Sequence, residues 1–470
     1  MTSLPDSLAS LSACAMRAGY RTGAFTPADV VDDVLARIDL LDPQVNAFLA
    51  VDAEGARRQA RGLSDGSIAM TGPLAGVPVA IKDIIDVAGV ATTCHSAVMA
   101  GNIAQRDAVV VRRLREAGAI IVGKVATHEF ALGGPSFDLP YPPARNPWNI
   151  EHLPGGSSSG SAVAVAARMV PLAVGTDTAG SIRFPAGACG VFGLKPTYGA
   201  VSCNGVFPLA YSLDHVGPIT HSADDLGIAL EAMGARRKVS ALCSGVANLP
   251  LTGLKVGYVE HFHTRDIEAS PEVAQGMAVA AARLAALGAS VLPVQLPALQ
   301  DFLGVNRVVM YSEAWSVHAP WMRERAQQYG KACRRGLMAG AFITNEQYLR
   351  AQRLRRLLVE KVEAAFQEFD LLLAVNMHDT PCRIDDEAEL RRTIARQARA
   401  VFSLTGHPAI SMPAGVSSAG LPLAFQLAAP WHHDHRLVDV AQAMHAAFPM
   451  PVAATSVASI PIATQTEPCR

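Results

Sequence analysis

The feature that most constrains this chain is a recurrence of short apolar runs separated by helix-like stretches. Val77–Ile85, Ala119–Val122, Val170–Val174, Lys255–Val259, Ser290–Val294 and Leu371–Val375 have the length and content of strands. Between them lie segments with helical spacing, among them Val109–Ala117 and Glu272–Leu287. This alternation predicts an α/β fold, a mixed and mostly buried sheet flanked by helices on both faces. Half of the residues are apolar and 17% are charged, which supplies a sizeable core and excludes global disorder. No fixed-period repeat and no Pro- or charge-rich linker divides the 470 residues. The reading is one large domain over residues 1–450, followed by a tail at 451–470 that is disordered or docked.

Local signals add detail. Thr26-Pro27-Ala28-Asp29 reads as a helix start, with Thr26 as cap and Pro27 in the first turn. Val30, Val34, Ile38 and Leu41 continue at helical spacing, and Asp42-Pro43 is expected to stop the helix. Ser161–Gly175 reads as a nearly uncharged helical run, too short and interrupted by Arg168 to span a bilayer. Glu313–Arg356 reads as peripheral helices.

Charge and cysteine usage narrow the function classes. A net charge of −1 argues against a nucleic-acid or membrane-surface partner. Eight scattered cysteines without a Cys-x-x-Cys suggest reduced thiols rather than a disulfide framework or zinc site. The N-terminus lacks a basic leader and a sustained apolar run, so no signal peptide is read and the expected location is the cytoplasm.

Three segments can carry chemistry. Only seven of the 40 basic residues are lysines, and one of them, Lys82, ends the apolar strand "GVPVAIK". A surface Lys closing a strand is the ordinary reading; a buried one would be a neutral amine able to act as a base. The second segment is "PGGSSSGSAVAVAARM", which composition alone leaves open as a flexible linker or a turn before a helix. It also contains Gly156-x-Ser158-x-Gly160, the nucleophile-elbow pattern, but the polar stretch before it, ending in Pro154, is a poor strand for an elbow. The third is "VGTDTAGSIRFPAGACGVFGLKPT", where Ser181 follows an Ala179-Gly180 turn whose amides could form an oxyanion hole; a helix cap is the plain alternative.

As a set, "GVPVAIKD", "PGGSSSGS" and "GTDTAGSIRFPA…CGVFGLKPTYG" resemble the amidase signature hydrolases. The similarity extends to "GKVATHEFALGG", "SLDHVGPIT", "FDLLL" and "TGHPAISMPAG…GLPLAFQL", covering about Leu8 to Ala447. The resemblance implies the fold of that family and a Ser–cis-Ser–Lys triad. Ser181 would be the nucleophile, Ser157 the bridging serine after a cis bond from Gly156, and Lys82 the base. It likewise implies oxyanion amides from Thr178, Ala179 and Gly180 with Ser181 itself, and a scaffold role for Asp177 and Arg183. No metal or organic cofactor is implied.

The chain departs from most relatives in having Ala179 where a glycine is usual. An Ala there requires ordinary backbone and narrows the acyl pocket. His95, Ala200 and Ala374-Val375 also depart, at positions expected to shape the pocket. His128 is expected near the pocket, with a packing role as the alternative. His432-His433-Asp434-His435, and His261 with His263, tempt a metal reading, yet adjacent helical residues diverge and a solvated helix start is the better reading of the first cluster.

The function so implied is a serine hydrolase of amide-type C–N bonds in small amides, aryl amides, carbamates or ureas, acting through an acyl-enzyme on Ser181. The alternative within the resemblance is the glutaminase subunit of a tRNA-dependent amidotransferase. Ala179 and the divergent second half lean toward the stand-alone enzyme. The expected partner is a small-molecule amide or carbamate, with a homodimer as a further possibility.

Overall fold

In the computed structural model, which describes residues 7–234 and 251–449, eleven strands form one sheet. They are β1 (Phe48–Val51), β2 (Pro78–Lys82), β3 (Ile120–Val125), β4 (Leu172–Asp177), β5 (Phe192–Lys195), β6 (His215–Thr220), β7 (Lys255–Tyr258), β8 (Ser290–Pro293), β9 (Leu371–Val375), β10 (Ala409–Val416) and β11 (Pro422–Ala428). Their spatial order is β1-β3-β2-β4-β6-β5-β10-β11-β9-β7-β8. β2 runs parallel to both β3 and β4, and β7 parallel to both β8 and β9, while the centre is antiparallel. All six expected strands are present and the sheet is mixed. The expected tail at 451–470 lies outside the described residues.

Alternation along the strands explains why the sheet is buried on both faces. Val79, Ile81, Leu172 and Val174 enter the larger core cluster. Ala80, Ala173, Ile120 and Val122 point the other way, into a second cluster with the helices Pro27–Val45 and Ser159–Ala166. Lys82 shares the parity of Ala80, so it leaves the sheet on the side where the small-residue helix packs.

The helix start at Thr26 forms as expected, with a reciprocal capping box between Thr26 and Asp29. Asp42-Pro43 does not stop that helix, which runs to Val45 and ends on Asn46 at φ 50°. A proline in the last turn removes one hydrogen bond at most, and the Asp42 carboxylate accepts from the amides of Ala47 and Phe48 beyond it. The run from Ser161 is helical only to Ala166; Arg168 turns left-handed at φ 59°, and β4 takes over. Glu313–Arg356 falls in helices Leu299–Arg325, Lys331–Gly340 and Asn345–Ala365, which are more than periphery because Tyr311, Lys331 and Arg335 line the main cavity. His433 caps the helix Asp434–Ala447 as a plain helix start. Cys14 is disulfide-bonded, against the expectation of reduced thiols, whereas Cys94, Cys189, Cys203, Cys333 and Cys382 are free.

Candidate active site

Parallel pairing of β2 and β4, with Ile81 opposite Val174, brings Lys82 and Thr176 out at the same sheet edge. The loop entering helix Ser159–Ala166 closes over them. Lys82 is fully buried and its Nζ lies 2.7 Å from Ser157 Oγ, 3.0 Å from Ser158 Oγ and 2.7 Å from Thr176 Oγ1. The peptide bond between Gly156 and Ser157 is cis. The neighbouring buried lysine, Lys124, sits 2.8 Å from Asp83, but Lys82 has no carboxylate in contact among the described residues. Burial therefore pushes its pKa down to about 7, against the opposing pull of Asp177 and Asp214.

Hydrogen-bond accounting orients the amine. Ser158 Oγ donates to the Thr176 carbonyl at 3.1 Å and accepts from the Thr176 amide, so toward Lys82 it can only accept. A neutral amine has two protons and one lone pair. With the protons directed at Ser158 and Thr176, the lone pair faces Ser157, which is the arrangement a base needs. Ser158 is thus buried and fully occupied, and no strand of the described residues leads into it, so the elbow pattern is a coincidence of composition.

The third segment turns sharply after β4. Asp177 organises it: its carboxylate accepts from the amides of Gly180 (2.7 Å) and Ile182 (3.2 Å), from Arg183 Nε and Nη2 (3.0 Å each), and from Ser403 Oγ (2.8 Å). Burial alone would raise its pKa, but the Arg183 charge and hydrogen bonds hold it well below the usual carboxylate range. Arg183 also donates to Gln426 and Ser403, tying the turn to the C-terminal half. Positive φ falls on Gly180 (φ 114°) and not on Ala179, as an Ala at that position requires. Gly180 was expected to offer its amide to an oxyanion; the amide is instead directed at Asp177 Oδ1, because the carboxylate is needed to hold the turn. The amides of Thr178, Ala179 and Ser181 make no hydrogen bond within the described residues. Thr178 is pinned through its side chain, which donates to Asp214 at 2.6 Å.

The two loops are joined directly, Ser158 N–H donating to the Ser181 carbonyl at 3.1 Å. Ser181 is half-buried and lines a cavity of about 840 Å³ together with His128, Ser157, Ala179, Phe184 and Tyr311. That size suits a small organic ligand. His128 is in the pocket wall as expected: its imidazole packs on Gly156, where a Cβ would stand 2.0 Å from the ring, and burial pushes it down to about 3, so it is neutral. His95 does not line this cavity; it sits at φ 56°, a backbone that glycine adopts freely, which accounts for the glycine commoner there.

The structure brings Lys82, Ser157 and the Thr178–Ser181 turn to one place. Sequence reading missed Ser158 and Thr176 as partners of Lys82, and Ser403, Gln426 and Arg399 altogether. Strand alternation hides Thr176, since it groups Thr176 with Leu172 and Val174, on the face opposite Ala80 and Lys82; the two side chains meet only where both strands end.

The model of the family described as Amidase matches residues 29–438. The chain belongs to the amidase signature family. Among curated relatives, this amidase is 35% identical over 460 residues to the A subunit of glutamyl-tRNA(Gln) amidotransferase from Azotobacter vinelandii, covering 90% of this chain and 94% of that one. Among solved structures it is similar to one reported under "An unexpected vestigial protein complex reveals the evolutionary origins of an s-triazine catabolic enzyme", at TM-score 0.85 and 31% identity, covering 93% and 99% of the two chains. It is also similar to 6-aminohexanoate cyclic dimer hydrolase, at TM-score 0.83 and 27% identity, covering 94% and 97%. The amidase is therefore an enzyme that hydrolyses amide-type carbon–nitrogen bonds. No helix among the described residues is long and apolar enough to cross a membrane.

Proposed function

We propose that the chain cleaves small-molecule amides through an acyl-enzyme on Ser181, with Lys82 as base and Ser157 as the proton bridge. The observation that carries this reading is the buried Lys82 amine, unpaired with any carboxylate of the described residues and hydrogen-bonded to Ser157 at the floor of the Ser181 cavity. Lys82 takes the Ser157 proton as Ser157 takes that of Ser181, and Ser181 Oγ bonds to the substrate carbonyl carbon. The open amides of the Thr178–Ser181 turn receive the oxyanion, each donor contributing roughly 2.7–4 kcal/mol. Ser157 then protonates the leaving nitrogen, the C–N bond breaks, and water attacks the acyl-enzyme by the same relay to release the acid and restore Ser181.

A second reading has its own support. Relatives 35% identical over nine-tenths of the chain belong to glutamyl-tRNA(Gln) amidotransferases, which favours a glutaminase working within a complex over a free-standing carbamate or urea hydrolase. Both readings share the chemistry. Fluorophosphonate labelling with peptide mapping tests it: label on Ser181, lost in Ser181→Ala and Lys82→Ala together with turnover, supports the assignment, and label on Ser158 refutes it. Aryl-amide hydrolysis by the purified chain favours the stand-alone enzyme; glutaminase activity that needs added subunits favours the other.

A further inference from the structure

Of the positively charged side chains in the cavity wall that have no task in the chemistry above, Arg307, Lys331, Arg335 and Arg391 are exposed and Arg399 is buried. Arg399 stands at the start of the short helix Ala400–Thr405, is 2% exposed, and lines the same cavity as Ser181. Its guanidinium lies 4.1 Å above the Phe184 ring, and Nη1 donates to the Asn376 carbonyl at 2.7 Å. Its Nε is buried without a hydrogen-bond partner among the described residues. The side chain rests against the nucleophile turn so closely that a Cβ on Gly180 would stand 2.5 Å from Arg399 Cβ and 2.7 Å from Nε.

The charges around it do not balance. The carboxylate acting on Arg399 is that of Asp177, which already holds Arg183 through two hydrogen bonds. Two buried guanidinium groups therefore share one carboxylate. Burial and Arg183 push the pKa of Arg399 down to about 9, which leaves it charged at neutral pH. The acids on the cavity rim are engaged elsewhere: Glu387 with Arg335 and Arg391, Asp385 with Arg383, and Asp138 with the amide of Lys331. A buried cation without a counter-ion of its own is costly to keep, and an unpaired N–H makes it costlier. A ligand anion removes both deficits at once, and a guanidinium is well shaped to receive a carboxylate.

The geometry points to Arg399 as the seat of a carboxylate on the acyl portion of the substrate, so that the enzyme prefers amides of dicarboxylic acids to neutral amides. The acyl portion is singled out because Arg399 packs on Gly180, beside the nucleophile, whereas the leaving nitrogen must face Ser157 to be protonated. This assignment rests on the reading of Ser181 as nucleophile.

The test compares ammonia release from succinamate and from 4-methylpentanamide, in which an isopropyl group replaces the carboxylate. The wild type is expected to favour succinamate about tenfold or more in kcat/KM. Arg399→Gln is expected to shrink that preference by about tenfold or more, chiefly through KM, and Arg399→Lys to keep part of it. Equal losses on both substrates, or a wild-type preference for 4-methylpentanamide, overturn the proposal. Calorimetric binding of succinate separates it from the underlying reading and needs no folded Gln variant. Binding by the wild type that weakens in Arg399→Lys supports the site, and no binding by the wild type overturns it. Intact succinate binding without turnover or Ser181 labelling would refute Ser181 as nucleophile and leave the Arg399 site standing.

Discussion

Asp177→Asn tests the idea that one carboxylate holds the nucleophile turn. Five donors converge on the two oxygens of Asp177, from Arg183 (twice), Gly180, Ile182 and Ser403. Asparagine keeps one oxygen. If that oxygen meets Gly180, Ser403 and Arg183 Nη2, its NH2 group faces Arg183 Nε and the Ile182 amide, donor against donor. The charge that offsets two buried guanidinium groups is also gone. Removing one partner of a buried ion pair costs about 3–5 kcal/mol, a large share of a total stability of about 5–15 kcal/mol. For a chain of this size, whose unfolding entropy is roughly 1 kcal/mol/K, the melting temperature should fall by roughly 3–5 °C. The open amides of the turn lose their anchor, so kcat should drop roughly 10²–10³-fold, the effect of losing one oxyanion donor. Circular dichroism melts at one scan rate, with amide hydrolysis on the same samples, give both numbers. A variant melting within about 2 °C of wild type and keeping more than half its kcat would refute the bracing role of Asp177.

Three further outcomes follow from Lys82 and its partners. With the Lys82 pKa depressed to about 7, kcat/KM should climb about tenfold per pH unit below that value and level off above it. The same depression means that folding stability rises from about pH 7 toward the ordinary lysine value, since the unfolded chain binds the extra proton there. A flat profile between pH 5 and 7 would remove Lys82 from the role of base. Ser158→Ala takes away the acceptor of one Lys82 proton and should lower kcat by about 10–100-fold with little change in KM, measured on a simple amide; wild-type turnover in this variant would remove Ser158 from the orientation of the base.

The parts of the site legible in the sequence are those carried by contiguous residues. Lys82 ends an apolar run, Ser181 follows a tight turn, and the Gly/Ser stretch precedes a small-residue helix. Strands built from continuous apolar runs are legible for the same reason. β1, β5, β6, β10 and β11 are not readable as strands from periodicity, because they are short or because glycines, prolines and polar residues interrupt them: Gly193 in β5, Pro218 in β6, Pro413 in β10 and Gln426 in β11. Nor can local pattern show that Ser403, Gln426 and Arg399 meet the Asp177–Arg183 pair more than 200 residues away. Those contacts exist only once β10 and β11 complete the sheet. Pro43 misleads for a different reason, since a proline near a helix end forfeits little and Asp42 supplies the missing stop one turn later.

Lys82 and Thr176 reach each other because β2 and β4 are parallel neighbours in one particular alignment, Ile81 against Val174. A slip of one residue would send Lys82 to the opposite face of the sheet, into apolar core, while leaving much of the backbone pairing in place. The fraction of purified chains that take up one equivalent of fluorophosphonate is therefore a count of correctly aligned sheets, a quality of folding that far-ultraviolet spectra do not distinguish.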